Sequence, residues 1–168
     1  GQAIHTEEGG RGATFLLESE CSTSETLAND TLLVRDVPML KPGRWNGVEV
    51  TVSDLESAVR NFRILRDQHD WVPGGWARHP PKGEGKRGRD ARDRLSIVRD
   101  LRLTDDQRLV ADIELLHPDA IRAYQERRLP YTSSEVEWEY TVTGGGEKLD
   151  GMTFTGFAWV DDPSVKAL

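Results

Sequence analysis

Leu129 to Tyr140 read LPYTSSEVEWEY, and the alternation inside this stretch decides how the chain is read. From Ser134 onward, Val136, Trp138 and Tyr140 alternate with Glu135, Glu137 and Glu139, the period-two signature of a half-buried β-strand. Carried backwards, that parity sets Ser134 with the apolar residues and Ser133 with the glutamates. Ser133 is therefore expected to look outward. A hydroxyl fixed on a rigid strand and facing solvent is a nucleophile when a base stands beside it; otherwise it is a surface serine at a strand start. A slip of one residue in register exchanges the two serines, so Ser134 stays an alternative.

Outward from this strand, the pattern is mostly β. TLLVRDVPMLKPGRWNGVEVTV, Thr31 to Val52, alternates short apolar runs with Pro42, Gly43 and Gly47, as strands joined by turns do. LSIVRDLRLTDDQRLVADIELL, Leu95 to Leu116, reads as two strands around a TDDQ turn, and MTFTGFAWV, Met152 to Val160, as a final strand. Two segments break the pattern. In VSDLESAVRNFRILRD, Leu55, Val59, Phe62 and Leu65 recur at helical spacing, with Ser53 and Glu56 three apart as a capping box. HPDAIRAYQERRLP opens a second, shorter helix with Pro118 in its first turn, Asp119 near the positive end and arginines near the negative one.

The first 30 residues are polar and glycine-bearing around one apolar patch, Ala13 to Leu17, and are expected to be poorly ordered apart from one short strand. Lys82 to Arg94 holds six basic and three acidic side chains with three glycines, which predicts a flexible charged loop. Six or more strands with two helices, in this order, exclude a doubly wound sheet. The expected architecture is mainly β, a small barrel with peripheral helices, formed by residues 31–168 as one domain.

With 168 residues, 36% hydrophobic and 30% charged, the chain is long enough to bury a core of its own and has the balance of a globular protein. No apolar run approaches the roughly 20 residues that cross a bilayer, and no charged start leads into an apolar signal segment. The net charge of -7 argues against a general nucleic-acid surface, which needs clustered Lys and Arg. Cys21 is the only cysteine, which rules out an internal disulfide and a Cys-based zinc site and fits a reducing cytoplasm.

Candidate bases are few. His5 lies in the loose N-terminal segment, His69 at the end of the first helix and His117 at the entry of the second, all places with structural explanations. His79, in GGWARHPP, leaves an apparent strand just before the charged loop, where a residue is both held and exposed. Asp161 and Asp162 end the last strand, where a carboxylate either starts the turn at Pro163 or holds a histidine in its useful tautomer. Sequence spacing alone does not bring these residues together.

The order GRWNGVEVTVSDLESAVRNF, an isolated His, ADIELLHPDAIRAYQERRLPYTSSEVEW and FTGFAWVDDPSVKAL resembles the prohead proteases of tailed phages, in particular the phage Mu protease type, over about Thr31 to Leu168. Its most specific part is a helix ending in Arg-Leu-Pro-Tyr, followed by Ser-x-Glu on a strand and a closing Asp-Pro-Ser-Val. This group is related in fold to the herpesvirus maturation protease, assemblin. The resemblance implies a seven-stranded barrel flanked by helices and a serine protease with a Ser, a His and a third residue that varies among His, Asp and Glu. Carried over, the serine is Ser133, the histidine His79 and the third member Asp161, with Asp162 next in line. Arg78 precedes His79 where the family leads one to expect a small residue. Arg127 and Arg128 are candidates for holding the developing oxyanion.

The resemblance further implies cleavage of scaffold and major capsid precursors, and of the protease itself, inside the assembling prohead in the cytoplasm of a bacterial host. It implies self-association as a dimer or larger; no cofactor or metal is expected, and the charge balance and apolar runs already noted lead to no expectation of nucleic acid or a membrane as partner. The competing reading is non-enzymatic: a scaffolding or capsid-interaction module on the same barrel, with the charged loop Lys82 to Arg94 docking acidic scaffold segments. A cysteine hydrolase built on Cys21 is disfavoured, because its surroundings are polar and not electropositive.

Overall fold

A computed structural model describes residues 11–18, 23–45, 47–80, 89–129, 131–144 and 146–160. The strands are β1 (Arg11–Glu18), β2 (Thr23–Thr26), β3 (Leu32–Leu40), β4 (Gly43–Trp45), β5 (Val48–Val50), β6 (Gly74–Trp76), β7 (Arg94–Leu103), β8 (Leu109–Leu115), β9 (Tyr131–Trp138) and β10 (Met152–Val160). Two helices, α1 (Val52–His69) and α2 (Pro118–Gln125), interrupt them. β4 and β5 form a separate hairpin, and the other eight strands make one sheet in the order β1-β9-β10-β6-β7-β8-β3-β2. β10 and β6 run parallel, and the remaining pairs are antiparallel.

The sheet curls but does not close, which corrects the expected seven-stranded barrel. Closure would need a hydrogen-bonded ladder between the strands at the two ends of that order, β1 and β2, and none joins them among the described residues. β9 is already paired on both sides, with β1 and β10, and β3 with β2 and β8, its ladder to β8 shifting register on either side of Val37–Pro38. β3 and β9 meet across the interior, where buried side chains of β9 reach carbonyls of β3. Thr132 Oγ1 donates to the Pro38 carbonyl at 2.9 Å and Ser134 Oγ to that of Met39 at 2.8 Å.

One apolar core fills the space between the curled sheet and α1. Val34, Val37 and Met39 of β3, Ile113 and Leu115 of β8, Val136 of β9, and Phe154, Phe157 and Trp159 of β10 are buried with Leu55, Ala58 and Phe62 of α1. Asn61, in the middle of α1, joins this face as a polar rivet: its Nδ2 donates to the carbonyls of Asp150 at 2.9 Å and Met152 at 3.1 Å and to Thr153 Oγ1 at 3.1 Å. The α1 cap lies two residues earlier than the Ser53/Glu56 spacing predicts. Thr51 is the N-cap, accepting from the Asp54 amide, while the Asp54 carboxylate accepts from the Thr51 amide. Among the described residues, no helix is long and apolar enough to cross a membrane.

Two polar segments of the sequence join the fold here. The segment before residue 31 contributes β1, whose backbone pairs with β9 from Arg11↔Trp138 to Glu18↔Tyr131. The expected charged loop Lys82–Arg94 lies outside the described residues up to 88, but from Arg89 it is built into the fold. Asp90 caps a 3-10 turn, Ala91–Asp93, that leads into β7.

Candidate active site

β9 lies between β1 and β10, with Ser133 opposite Leu16 on one side and Ala158 on the other. Strand parity sends Ser134 and Val136 into the core, where both are buried, and Ser133 and Glu135 to the opposite face. The expected separation of the two serines appears as read, but Ser133 is not an open surface residue. It is 4% exposed, because strands flank its backbone on both sides and the connection after β6 crosses over its hydroxyl.

That connection carries His79. Its Nε2 lies 2.7 Å from Ser133 Oγ and its Nδ1 2.7 Å from Glu135 Oε2. An ionised Glu135 accepts a proton bond from Nδ1–H, which leaves Nε2 unprotonated and ready to accept the Ser133 hydroxyl. The imidazole is 31% exposed while the Glu135 side chain is 2% exposed, so the acid is sealed and the base faces outward.

The sequence reading missed the carboxylate at Nδ1. Asp161 and its alternative Asp162 lie outside the described residues, and the Nδ1 position is filled by Glu135. The signal for it was present: Ser-x-Glu on a strand puts both side chains on one face, and the family pattern allows Glu as the third residue. Burial, the strongest influence on Glu135, pushes its carboxyl up; the hydrogen bond and charge of His79 and the charge and hydrogen bond of Arg89 together outweigh it, so the net direction is below the usual glutamate value.

Room for this arrangement comes from small residues on the neighbouring strands. Gly156 of β10 pairs with Glu135 and with Gly74 of β6, and Ala158 pairs with Ser133 and with Trp76. A Cβ on Gly156 would stand 3.1 Å from the Gly74 carbonyl oxygen and 3.2 Å from Glu135 Oε1. A Cβ on Gly74 would stand 2.8 Å from Trp76 Nε1. Trp76 and Arg89 occupy the space thus cleared, the Arg89 guanidinium lying 4.4 Å above the Trp76 ring. A cavity of about 540 Å³ opens beside them, lined by Trp71, Trp76, Arg89, Arg94 and Thr155 among others.

The other sequence candidates lie elsewhere. Arg78 is 73% exposed and pairs with Asp93 at 3.1 Å, so its charge is matched away from the imidazole. Arg127 and Arg128 are exposed in the turn after α2, where their amides close the helix and the Arg128 side chain pairs with Glu126 at 2.9 Å. His69 pairs with Glu147 at 2.9 Å, and His117 Nε2 bonds the Arg94 carbonyl at 3.0 Å; each sits in a structural contact. His5 and Cys21 are outside the described residues. Compared with protein-family models, curated proteins and solved structures, the chain matches none.

Proposed function

We propose that this chain is a serine endopeptidase with Ser133 as nucleophile, His79 as general base and Glu135 as the carboxylate that orients it. The observation that carries this reading is the unbroken hydrogen-bond chain Ser133 Oγ–His79 Nε2 and His79 Nδ1–Glu135 Oε2, both links 2.7 Å. Hydroxyl, imidazole and buried carboxylate in that order are what acyl transfer through a serine needs, whatever the fold.

In the proposed reaction His79 Nε2 takes the Ser133 proton as Oγ bonds to a peptide carbonyl carbon. The resulting imidazolium is stabilised by Glu135 and gives the proton to the leaving amine as the C–N bond breaks. Water then attacks the Ser133 ester, its proton passing to Nε2 and on to Oγ, which releases the acid product and restores the serine. The buried carboxylate holds one tautomer throughout.

The resemblance to phage prohead proteases supplies the proposed substrates: scaffold and capsid precursors and the protease itself, cut during prohead maturation. Incubation of the purified chain with candidate scaffold and capsid precursors, followed by mass spectrometry of fragments over time, tests this. Cleavage that disappears in Ser133→Ala and persists in Ser134→Ala is the expected result. Cleavage in neither the wild type nor the variants, with all three folded, makes the non-enzymatic scaffold module the better reading.

A further inference from the structure

We infer that Arg89 is a positioning residue, a buried clamp that keeps Glu135 ionised and its Oε2 aimed at His79 Nδ1. The inference rests on the reading of Ser133, His79 and Glu135 as one relay. Arg89 Nη2 lies 2.6 Å from Glu135 Oε2, the same oxygen that meets His79. The two side chains are 4% and 2% exposed, and the guanidinium is fixed from its other side by the Trp76 ring. An exposed ion pair does little, but a carboxylate sealed from water needs a charge partner to stay ionised.

The chemistry of the relay explains why the partner is an arginine. If His79 alone faced Glu135, the carboxylate would be stabilised best by an imidazolium, and an imidazolium cannot accept the Ser133 proton. A guanidinium stays charged at every working pH and neutralises Glu135 while the imidazole remains a base. Arg89 reaches Glu135 from the segment before β7 and His79 from the connection after β6, so the two ends of residues 79–89 are tied to one carboxylate oxygen. Arg89 Nε and Glu135 Oε1, both buried, have no hydrogen-bond partner among the described residues. The clamp is thus held by one hydrogen bond and a stacked ring, not by a closed fork.

Other charges reach this side of the sheet. Arg78 and Asp93 pair with each other, Asp90 with Arg92 at 2.8 Å, Arg94 lies in the row of Trp76 on β7, and Glu137 follows Glu135 on the outer face of β9. Among the described residues, Glu135 pairs with His79 and with one permanent cation, Arg89.

The test follows the His79 imidazole by NMR across pH in a Ser133→Ala background, which needs no turnover, and the acid limb of kcat/KM in the active protein. Removing the cation in Arg89→Gln stabilises the imidazolium, so both titrations are expected to move to higher pH by about one unit or more. Arg89→Lys, which keeps the charge, is expected to stay near the wild type. Titrations that do not move in a folded Arg89→Gln overturn the clamp, as does an Arg89→Lys that moves as far upward as the glutamine. If Arg89→Gln does not fold, Arg89→Lys decides alone: wild-type titration supports the clamp and an upward shift overturns it. An imidazole that shifts in a protein without peptidase activity leaves the clamp standing and removes the protease reading; activity with an unmoved acid limb does the reverse.

Discussion

His79 Nδ1 lies 2.7 Å from Oε2 of Glu135, a residue only two places beyond Ser133 on the same strand. Residues two apart on a strand share a face and are separated by about 6.7 Å along it. One imidazole bridges that step, with a hydroxyl on one nitrogen and a carboxylate on the other. β9 therefore supplies both polar partners of the base, and their spacing is fixed by the strand itself and not by the meeting of distant loops.

Glu135→Gln is expected to keep the fold and lower kcat by about 10²–10⁴-fold, because an amide no longer enforces the Nδ1–H tautomer. Asp161→Asn and Asp162→Asn are expected to stay within a few-fold of wild type. Steady-state kinetics on the three variants check this, and a larger loss at Asp161 than at Glu135 would return the third position to Asp161.

The two serines are expected to separate stability from activity. Ser134 Oγ donates to the buried Met39 carbonyl at 2.8 Å, so Ser134→Ala leaves that acceptor unsatisfied and costs about 1–3 kcal/mol. Its turnover should survive. Ser133→Ala should unfold close to wild type in urea while losing turnover, and the opposite pattern would exchange their roles.

Much of this was legible in the sequence because the governing patterns are local. The alternation Val136, Trp138 against Glu135, Glu137 gives the faces of β9, and the 3.6-residue period of Leu55, Phe62 and Leu65 gives α1. What was not legible depends on distant contacts. Whether a strongly curved sheet closes turns on whether its end strands, β1 and β2, pair, and no local pattern in either strand states that. Likewise Arg89 reads as one more cation in a polar run, and only its own burial against the Trp76 ring and the buried Glu135 carboxylate marks it out. Glu135 itself was read as a solvent-facing glutamate, since parity gives a face and not what covers it.

Glycines at the site should be intolerant in two different ways. Gly75→Ala drives a Cβ into Ser96 and Phe157 in the core, and thermal unfolding is expected to show a loss of about 1–3 kcal/mol or more. Gly156→Ala crowds the Gly74 carbonyl and Glu135 Oε1, so turnover should fall by more than its stability does. Equal effects on both quantities would mean that the space at Gly156 serves packing alone.

Stability should fall on acidification through the buried carboxylates. Glu135, Asp112 and Glu114 are all held below their ordinary values; burial opposes the shift in each, while His79 and Arg89, Arg102, and Thr31 with Arg99 respectively drive it. A depressed carboxylate contributes stability that is complete above its unfolded value and is lost as pH falls through the folded one. Melting temperature is therefore expected to drop as pH falls from about 5 toward 2, and less steeply in Glu135→Gln.

Covalent labelling with a fluorophosphonate tests the central claim most directly. The reagent bonds to an activated serine oxygen with loss of fluoride, and peptide mass spectrometry locates it. The account predicts a single adduct on Ser133 that is absent from Ser133→Ala, preserved in Ser134→Ala and strongly slowed in Glu135→Gln. An unlabelled wild type, or an adduct that persists in Ser133→Ala, would contradict it.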